Sequence, residues 1–157
     1  MKRITLVGEC KSLFPLLSDY LFPYGSTSCS GSIYFHTQEQ YQIVYSINSI
    51  NSAFIDYLRL SSMIFVCYDA SVVGKVTQSS YWIDMVQRYT NTPIVLLSLY
   101  PDAGIQNSPY LRYLLERYHV PHLTCSLTPG DLSLKQYIET SREIEEACQG
   151  CVACSVS

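Results

Sequence analysis

The strongest constraint on this chain is a short apolar run that stops on glycine. Lys2-Arg3-Ile4-Thr5-Leu6-Val7-Gly8 leads into an apolar segment that begins near Leu13. That punctuation reads as a buried strand, a turn and a helix, the place where an α/β domain sets a phosphate loop. The residues after Gly8 are Glu9-Cys10-Lys11-Ser12-Leu13-Phe14-Pro15. The outline of a phosphate site is present, and its chemistry is largely erased.

The rest of the chain alternates strands with helices. Leu16 to Phe22 predicts a short amphipathic helix, with Pro15 suited to its first turn. Tyr24 to Gly31 reads as a Gly/Ser-rich loop. Ser32 to His36 and Tyr41 to Ile47 are β-prone runs around the polar Thr37-Gln38-Glu39-Gln40, the pattern of a hairpin. Phe54 to Leu60 is amphipathic. Met63 to Tyr68 and Ile94 to Leu99 are continuously apolar, as in strands covered on both faces. Thr77 to Tyr89, Pro109 to His119 and Leu132 to Ala147 predict helices, and His122 to Ser126 a last strand. The expected architecture is α/β, with three layers and a mostly parallel six-stranded sheet carrying one antiparallel edge strand.

Composition narrows the function classes. The 157 residues are 48% hydrophobic and 15% charged with net charge −3, enough apolar material for one core and no basic run for nucleic acid. Residues 1–143 are expected to form that domain and residues 144–157 a cysteine-rich tail. No stretch reaches the length of a bilayer span, and the amino terminus lacks a signal-peptide core. Of seven cysteines, Cys10, Cys29, Cys67 and Cys125 are scattered while Cys148, Cys151 and Cys154 crowd the end, which reads as reduced thiols plus a special tail.

In this order, the phrases Ile64-Phe65-Val66-Cys67-Tyr68-Asp69, Tyr81-Trp82-Ile83-Asp84, Asn91-Thr92-Pro93-Ile94-Val95-Leu96 and Thr124-Cys125-Ser126 resemble a small GTPase of the Ras superfamily, on its Ras or Rho side. The resemblance spans nearly the whole chain and implies a P-loop small-GTPase-like fold. It also implies motifs that this chain has lost. The family's G-x-x-x-x-G-K-[ST] loop, aligned without a gap from Gly8, places Leu13, Phe14 and Pro15 where a glycine, a lysine and a hydroxyl should hold phosphate and magnesium. A gapped alignment recovers charge and hydroxyl as Lys11 and Ser12 but shortens the loop and drops the second glycine. Its D-x-x-G falls on Ser46 and Ser49, with Ile50 where the water-orienting glutamine would be. The guanine-reading N-K-x-D becomes Leu99-Tyr100-Pro101-Asp102, and S-A-K becomes Ser126-Leu127-Thr128.

Bonds to charged groups contribute about 1.5–3 kcal/mol each, so losing three costs on the order of 5–9 kcal/mol, thousands-fold or more in affinity. The resemblance therefore implies, at most, a vestigial nucleotide site at Gly8, Lys11, Ser12, Asp102 and Ser126, with no catalytic residue. Asp102 lies in a Pro-Asp-Ala-Gly sequence that also suits a turn former, and Lys11 equally suits a solvated side chain. Asp69 ends a central strand, a place for a functional carboxylate, but the resemblance implies a structural role there. His119 and His122 are too few for a metal site, and His119 suits a helix carboxyl end.

The carboxyl terminus is informative in its own right: the run Cys148-Gln149-Gly150-Cys151-Val152-Ala153-Cys154-Ser155-Val156-Ser157 ends in a C-a-a-X box. Cys154 is the expected prenyl acceptor, and Cys148 and Cys151 are expected palmitoyl acceptors. One lipid chain binds a membrane only marginally, and Glu143, Glu145 and Glu146 disfavour anionic lipid, so acyl chains suit the second signal. A zinc or redox Cys-x-x-Cys element and a chance cluster are the competing readings, but a structural zinc site needs four ligands and no second pair with ligand spacing exists.

Together these features predict a membrane-anchored Ras/Rho-like homologue on the cytoplasmic face of a membrane. It would act as an interaction module, meeting effector or regulator proteins through residues 24–60, with no cofactor expected. The alternative is an unconventional small GTPase that binds GTP or GDP with Mg²⁺ and hydrolyses GTP weakly.

Overall fold

The computed structural model describes residues 1–72, 74–101 and 108–149. Among the described residues, seven strands form one sheet: β1 (Lys2–Val7), β2 (Ser26–Ser30), β3 (Ile33–Gln38), β4 (Tyr41–Ser46), β5 (Met63–Asp69), β6 (Ile94–Leu99) and β7 (His122–Cys125). Five α-helices are described: α1 (Phe14–Leu21), α2 (Ser52–Arg59), α3 (Ser79–Tyr89), α4 (Pro109–Tyr118) and α5 (Ser133–Gln149). Short 3-10 turns at Lys11–Leu13 and Lys75–Gln78 lead into α1 and α3.

The sheet order is β2-β3-β4-β1-β5-β6-β7. Strands β4, β1, β5, β6 and β7 run parallel, while β3 is antiparallel to both β4 and β2. The expected α/β class and mostly parallel sheet are therefore present, but the sheet has seven strands rather than six. The antiparallel strand is also not the edge, because β2 lies outside it. The segment expected as a loop from Tyr24 to Gly31 supplies that strand. Its five residues are all exposed, so no apolar alternation marks it. The hairpin is made by Gly31, whose φ of 61° sits at the first place of the two-residue turn Gly31-Ser32 between Ser30 and Ile33. That is the positive φ a type II′ turn requires.

Burial explains the layers. Strand β6 is buried throughout, and β5 is buried up to Tyr68, as continuously apolar parallel strands must be when helices cover both faces. On one face Phe14, Leu17 and Leu21 of α1, with Leu134 and Ile138 of α5, pack on Ile4, Leu6, Phe65 and Leu97. On the other, Phe54 and Leu58 of α2, Trp82, Ile83 and Val86 of α3, and Leu111 and Leu114 of α4 cover Val44, Ile64, Val66 and Leu96. Each such side chain contributes about 1.5–3 kcal/mol of transfer free energy.

Local signals set the helix ends. Asn51 caps α2 by accepting from the Phe54 N–H at 2.9 Å, and Ser108 caps α4 ahead of Pro109 in the first turn. Pro15 sits in the first turn of α1. His119 ends α4 in the left-handed region at φ 53°.

This topology makes one crevice special. From β1 the chain leaves through α1 toward the β2–β3–β4 side, and from β5 it leaves through α3 toward β6. The carboxyl ends of β1 and β5 thus flank the point where the connections part to opposite sides, the usual ligand crevice of an open α/β sheet.

Candidate functional site

Gly8 directly follows β1 at φ 141°, and a Cβ there would stand 2.2 Å from the Cys67 carbonyl oxygen of β5. Only glycine fits between these strand ends. Three residues later, at Lys11, the chain is already turning helically, so the connection from β1 to α1 has no extended loop of amides to wrap a phosphate chain.

The side chains that follow point away from such a role. Phe14 is 1% exposed and meets the Tyr45 ring edge-on, with centroids 5.8 Å apart. Tyr45 in turn stacks on Tyr34 at 5.4 Å. Phe14, the residue that the ungapped alignment sets against a phosphate-binding lysine, is thus an aromatic core residue. Lys11, the gapped candidate, donates to the Asn48 carbonyl at 2.9 Å. With Gly8 it lines a narrow crevice of about 10 Å³ bounded by Ser46, Asn48, Phe54 and Trp82. The segment after β4 is held by the same set, since Ser46 Oγ accepts from the Asn48 N–H at 3.3 Å.

A separate cavity of about 110 Å³ opens at the β1–β5 crevice. The turn after β1 contributes Glu9, Cys10 and Ser12, β5 contributes Cys67, Tyr68 and Asp69, and the segment into α3 contributes Lys75, Gln78, Ser79 and Trp82. Its volume is well below the roughly 300 Å³ at which ordinary small-molecule pockets begin. Trp82 donates its indole N–H to Glu9 Oε1 at 3.1 Å, tying the turn to α3. Asp69 Oδ1 accepts from the Ser71 N–H at 3.0 Å and from its hydroxyl at 2.5 Å, so the carboxylate that ends β5 also closes a turn. Two carboxylates and one lysine leave this wall one charge negative, the wrong sign for a triphosphate.

Cysteine chemistry at the cavity is muted. Burial, reinforced by Asp69 and Glu9, pushes the Cys10 thiol up to about 12 against a weaker lowering by a backbone hydrogen bond, so it stays protonated. Burial likewise raises Cys67. Neither is an activated nucleophile.

The predicted site residues are only partly brought together. Gly8 and Ser12 lie at the β1–β5 crevice, and Lys11 turns from the larger cavity toward Asn48. Ser126 belongs to a closed turn after β7: Asp131 Oδ2 accepts from its N–H at 2.9 Å and its hydroxyl at 3.1 Å. Asp102, Cys151 and Cys154 lie outside the described residues, and Cys148 falls on α5. His122 makes a 2.6 Å hydrogen bond between its Nε2 and Ser98 Oγ, which also bonds the Tyr68 hydroxyl. Among the described residues no group of three His, Cys, Asp or Glu is placed to hold a metal ion.

Sequence reasoning missed Glu9, Ser79 and Trp82 as partners in one cavity and took Asp69 as structural. Asp69 at the end of a central strand carried the clearest signal, because strand carboxyl ends at a reversal of connections are where ligands sit. The Glu9–Trp82 bond spans 73 positions and left no local trace.

Compared with known proteins, the chain matches no protein-family model and no curated protein. No helix among the described residues is long and apolar enough to cross a membrane.

Proposed function

We propose that the chain is a nucleotide-independent interaction module built on a small-GTPase-like sheet, a pseudo-GTPase in function. The observation that carries this reading is Phe14, buried against Tyr45 at the place where the resemblance puts a phosphate-binding lysine. The reading is also supported by the sheet: without β2, its order sets an antiparallel hairpin beside β1 and three parallel strands beyond it, as the resemblance implies. The Lys11–Asn48 bond and the negative wall of a 110 Å³ cavity argue in the same direction.

Function then resides on the surface. The region between residues 24 and 60 presents the exposed strand β2, Tyr24 at 91% exposure, Ile47 and Leu60 to solvent. A face whose shape does not depend on a terminal phosphate suits steady recruitment of effector or regulator proteins, because the order–disorder trigger of a nucleotide switch is missing. Capture of partners on the immobilised full chain, with GDP, with a non-hydrolysable GTP analogue and with neither, tests this. Equal capture in all three is expected; partners that appear only with the GTP analogue contradict it.

Attachment to the cytoplasmic face of a membrane belongs to the same proposal. Cys154 would carry the prenyl group and Cys148 and Cys151 acyl groups, provided Ser157 is the last residue of the chain in the cell. The intact mass of the protein from a eukaryotic host tests it: a farnesyl increment lost in Cys154→Ser is expected, and an unmodified mass contradicts it.

One observation favours the alternative, a weak unconventional GTPase: the cavity stands at the β1–β5 crevice beside Ser12. That reading needs Lys11 to exchange Asn48 for phosphate, and Lys11→Ala and Asp102→Ala would then abolish nucleotide binding.

A further inference from the structure

The cavity between β1, β5 and α3 contains a polar atom that the fold leaves unsatisfied. Ser79 is 2% exposed, lines the cavity, and its Oγ has no hydrogen-bond partner among the described residues. Buried hydroxyls are nearly always paired, and an orphan on a residue that lines a cavity marks a place for a bound group. The same cavity presents Glu9, with one carboxylate oxygen engaged by Trp82, and Asp69, with one oxygen engaged by Ser71. Its walls also include the Trp82 indole and the apolar Leu13 and Val72.

An anion is disfavoured despite the nearby start of α3. The Ser79 N–H already bonds the Val76 carbonyl, and the Thr77 N–H bonds the Gly74 carbonyl, so the leading 3-10 turn occupies amides that an anion would need. Lys75 balances only one of the two carboxylates. A metal ion is disfavoured by the donor set, since no group of three metal-ligating residues occurs among the described residues. An aromatic wall, carboxylate acceptors and a buried hydroxyl acceptor together suit an organic ammonium group, which offers several N–H donors and a charge for the indole face.

We propose that this cavity binds a small primary alkylammonium ligand, held by Glu9, Asp69 and the Ser79 hydroxyl against Trp82. The ligand's N–H groups satisfy the Ser79 oxygen and the remaining carboxylate capacity, and its short carbon chain meets Leu13 and Val72. The site does not depend on the interaction reading above: a nucleotide-free module with an empty cavity and one with an occupied cavity are distinguishable outcomes.

Trp82 is the only tryptophan in the chain, so its fluorescence reports on the cavity directly. The full-length protein at neutral pH is titrated with ethanolamine hydrochloride and n-propylamine hydrochloride. Sodium chloride, sodium acetate and magnesium chloride at matched ionic strength serve as controls. A saturable change with both amines and none with the three control salts is expected. Glu9→Gln keeps an oxygen for the indole but removes the charge, and should weaken amine binding about tenfold or more. Ser79→Ala removes an unsatisfied hydroxyl, so it should leave thermal stability equal or higher while weakening binding. Saturation by acetate or magnesium, no saturable response to either amine, or unchanged binding in Ser79→Ala with an intact fold overturns the assignment.

Discussion

Phe14 packs its ring edge against Tyr45, with centroids 5.8 Å apart, and so joins the first turn of α1 to the end of β4 inside the core. In a phosphate-binding loop the same step of the chain would aim a charge at a ligand. Here it builds hydrophobic structure, and the proposed absence of a phosphate site rests on that contact.

Truncating this ring measures the exchange. Phe14→Ala is expected to cost about 3–5 kcal/mol, as removal of a fully buried aromatic does, read as a fall in the urea midpoint. Phe14→Lys is expected to destabilise at least as much, because it buries a charge, and to bring no nucleotide binding in a fluorescent-GDP titration.

Gly8→Ala tests the close approach of β1 and β5. The added Cβ meets the Cys67 carbonyl oxygen at 2.2 Å, at φ 141°, with backbone rather than a movable side chain as the obstacle. A loss of about 3 kcal/mol or more, or failure to accumulate as soluble protein, is expected; a melting temperature within a degree or so of the parent contradicts the geometry.

Much of this was legible in the sequence, and the reasons for the rest are physical. The runs Met63 to Tyr68 and Ile94 to Leu99 announce buried parallel strands because helices cover both of their faces. Strand β2 was missed because Ser26 to Ser30 bury nothing, although Gly31-Ser32 ahead of Ile33-Tyr34-Phe35 is a hairpin turn signal. Thr77 and Gln78, expected in a helix, form a 3-10 turn instead, entered from Gly74 at φ 86°. The cavity was illegible because Glu9, Asp69 and Ser79 come from three separated segments, and their meeting depends on the strand order.

Acid should weaken the fold through His122. Burial holds its imidazole below the ordinary value, while its Nε2 bonds Ser98. The unfolded chain takes up a proton near pH 6.5 and the folded chain only lower, so this contribution is present above about pH 6.5 and declines as pH falls toward the lowered folded value. Urea midpoints at about pH 7.5 and about pH 5.5 should differ, and His122→Gln should reduce the difference. An unchanged difference in that variant contradicts the assignment.

Asp131 governs a lower range. The Ser126 backbone N–H chiefly, with the Ser133 and Ser126 hydroxyls and the Ser133 N–H adding, holds its carboxyl below the usual range against a smaller opposing effect of burial. Its contribution is present above the unfolded value of about 4 and lost as pH falls through the lower folded value. Asp131→Asn should therefore lower stability near neutrality and flatten its decline below about pH 4, measured by thermal melts across that range.

The central proposal, that this sheet holds no guanine nucleotide, is tested most directly by the nucleotide content of the protein itself. The full chain is purified gently from a eukaryotic host and denatured, and the supernatant is resolved by ion-exchange chromatography. A folded protein releasing no GDP or GTP is predicted. Near-stoichiometric GDP or GTP would contradict the account and return Lys11, Ser12 and Asp102 to the role of ligand-binding residues.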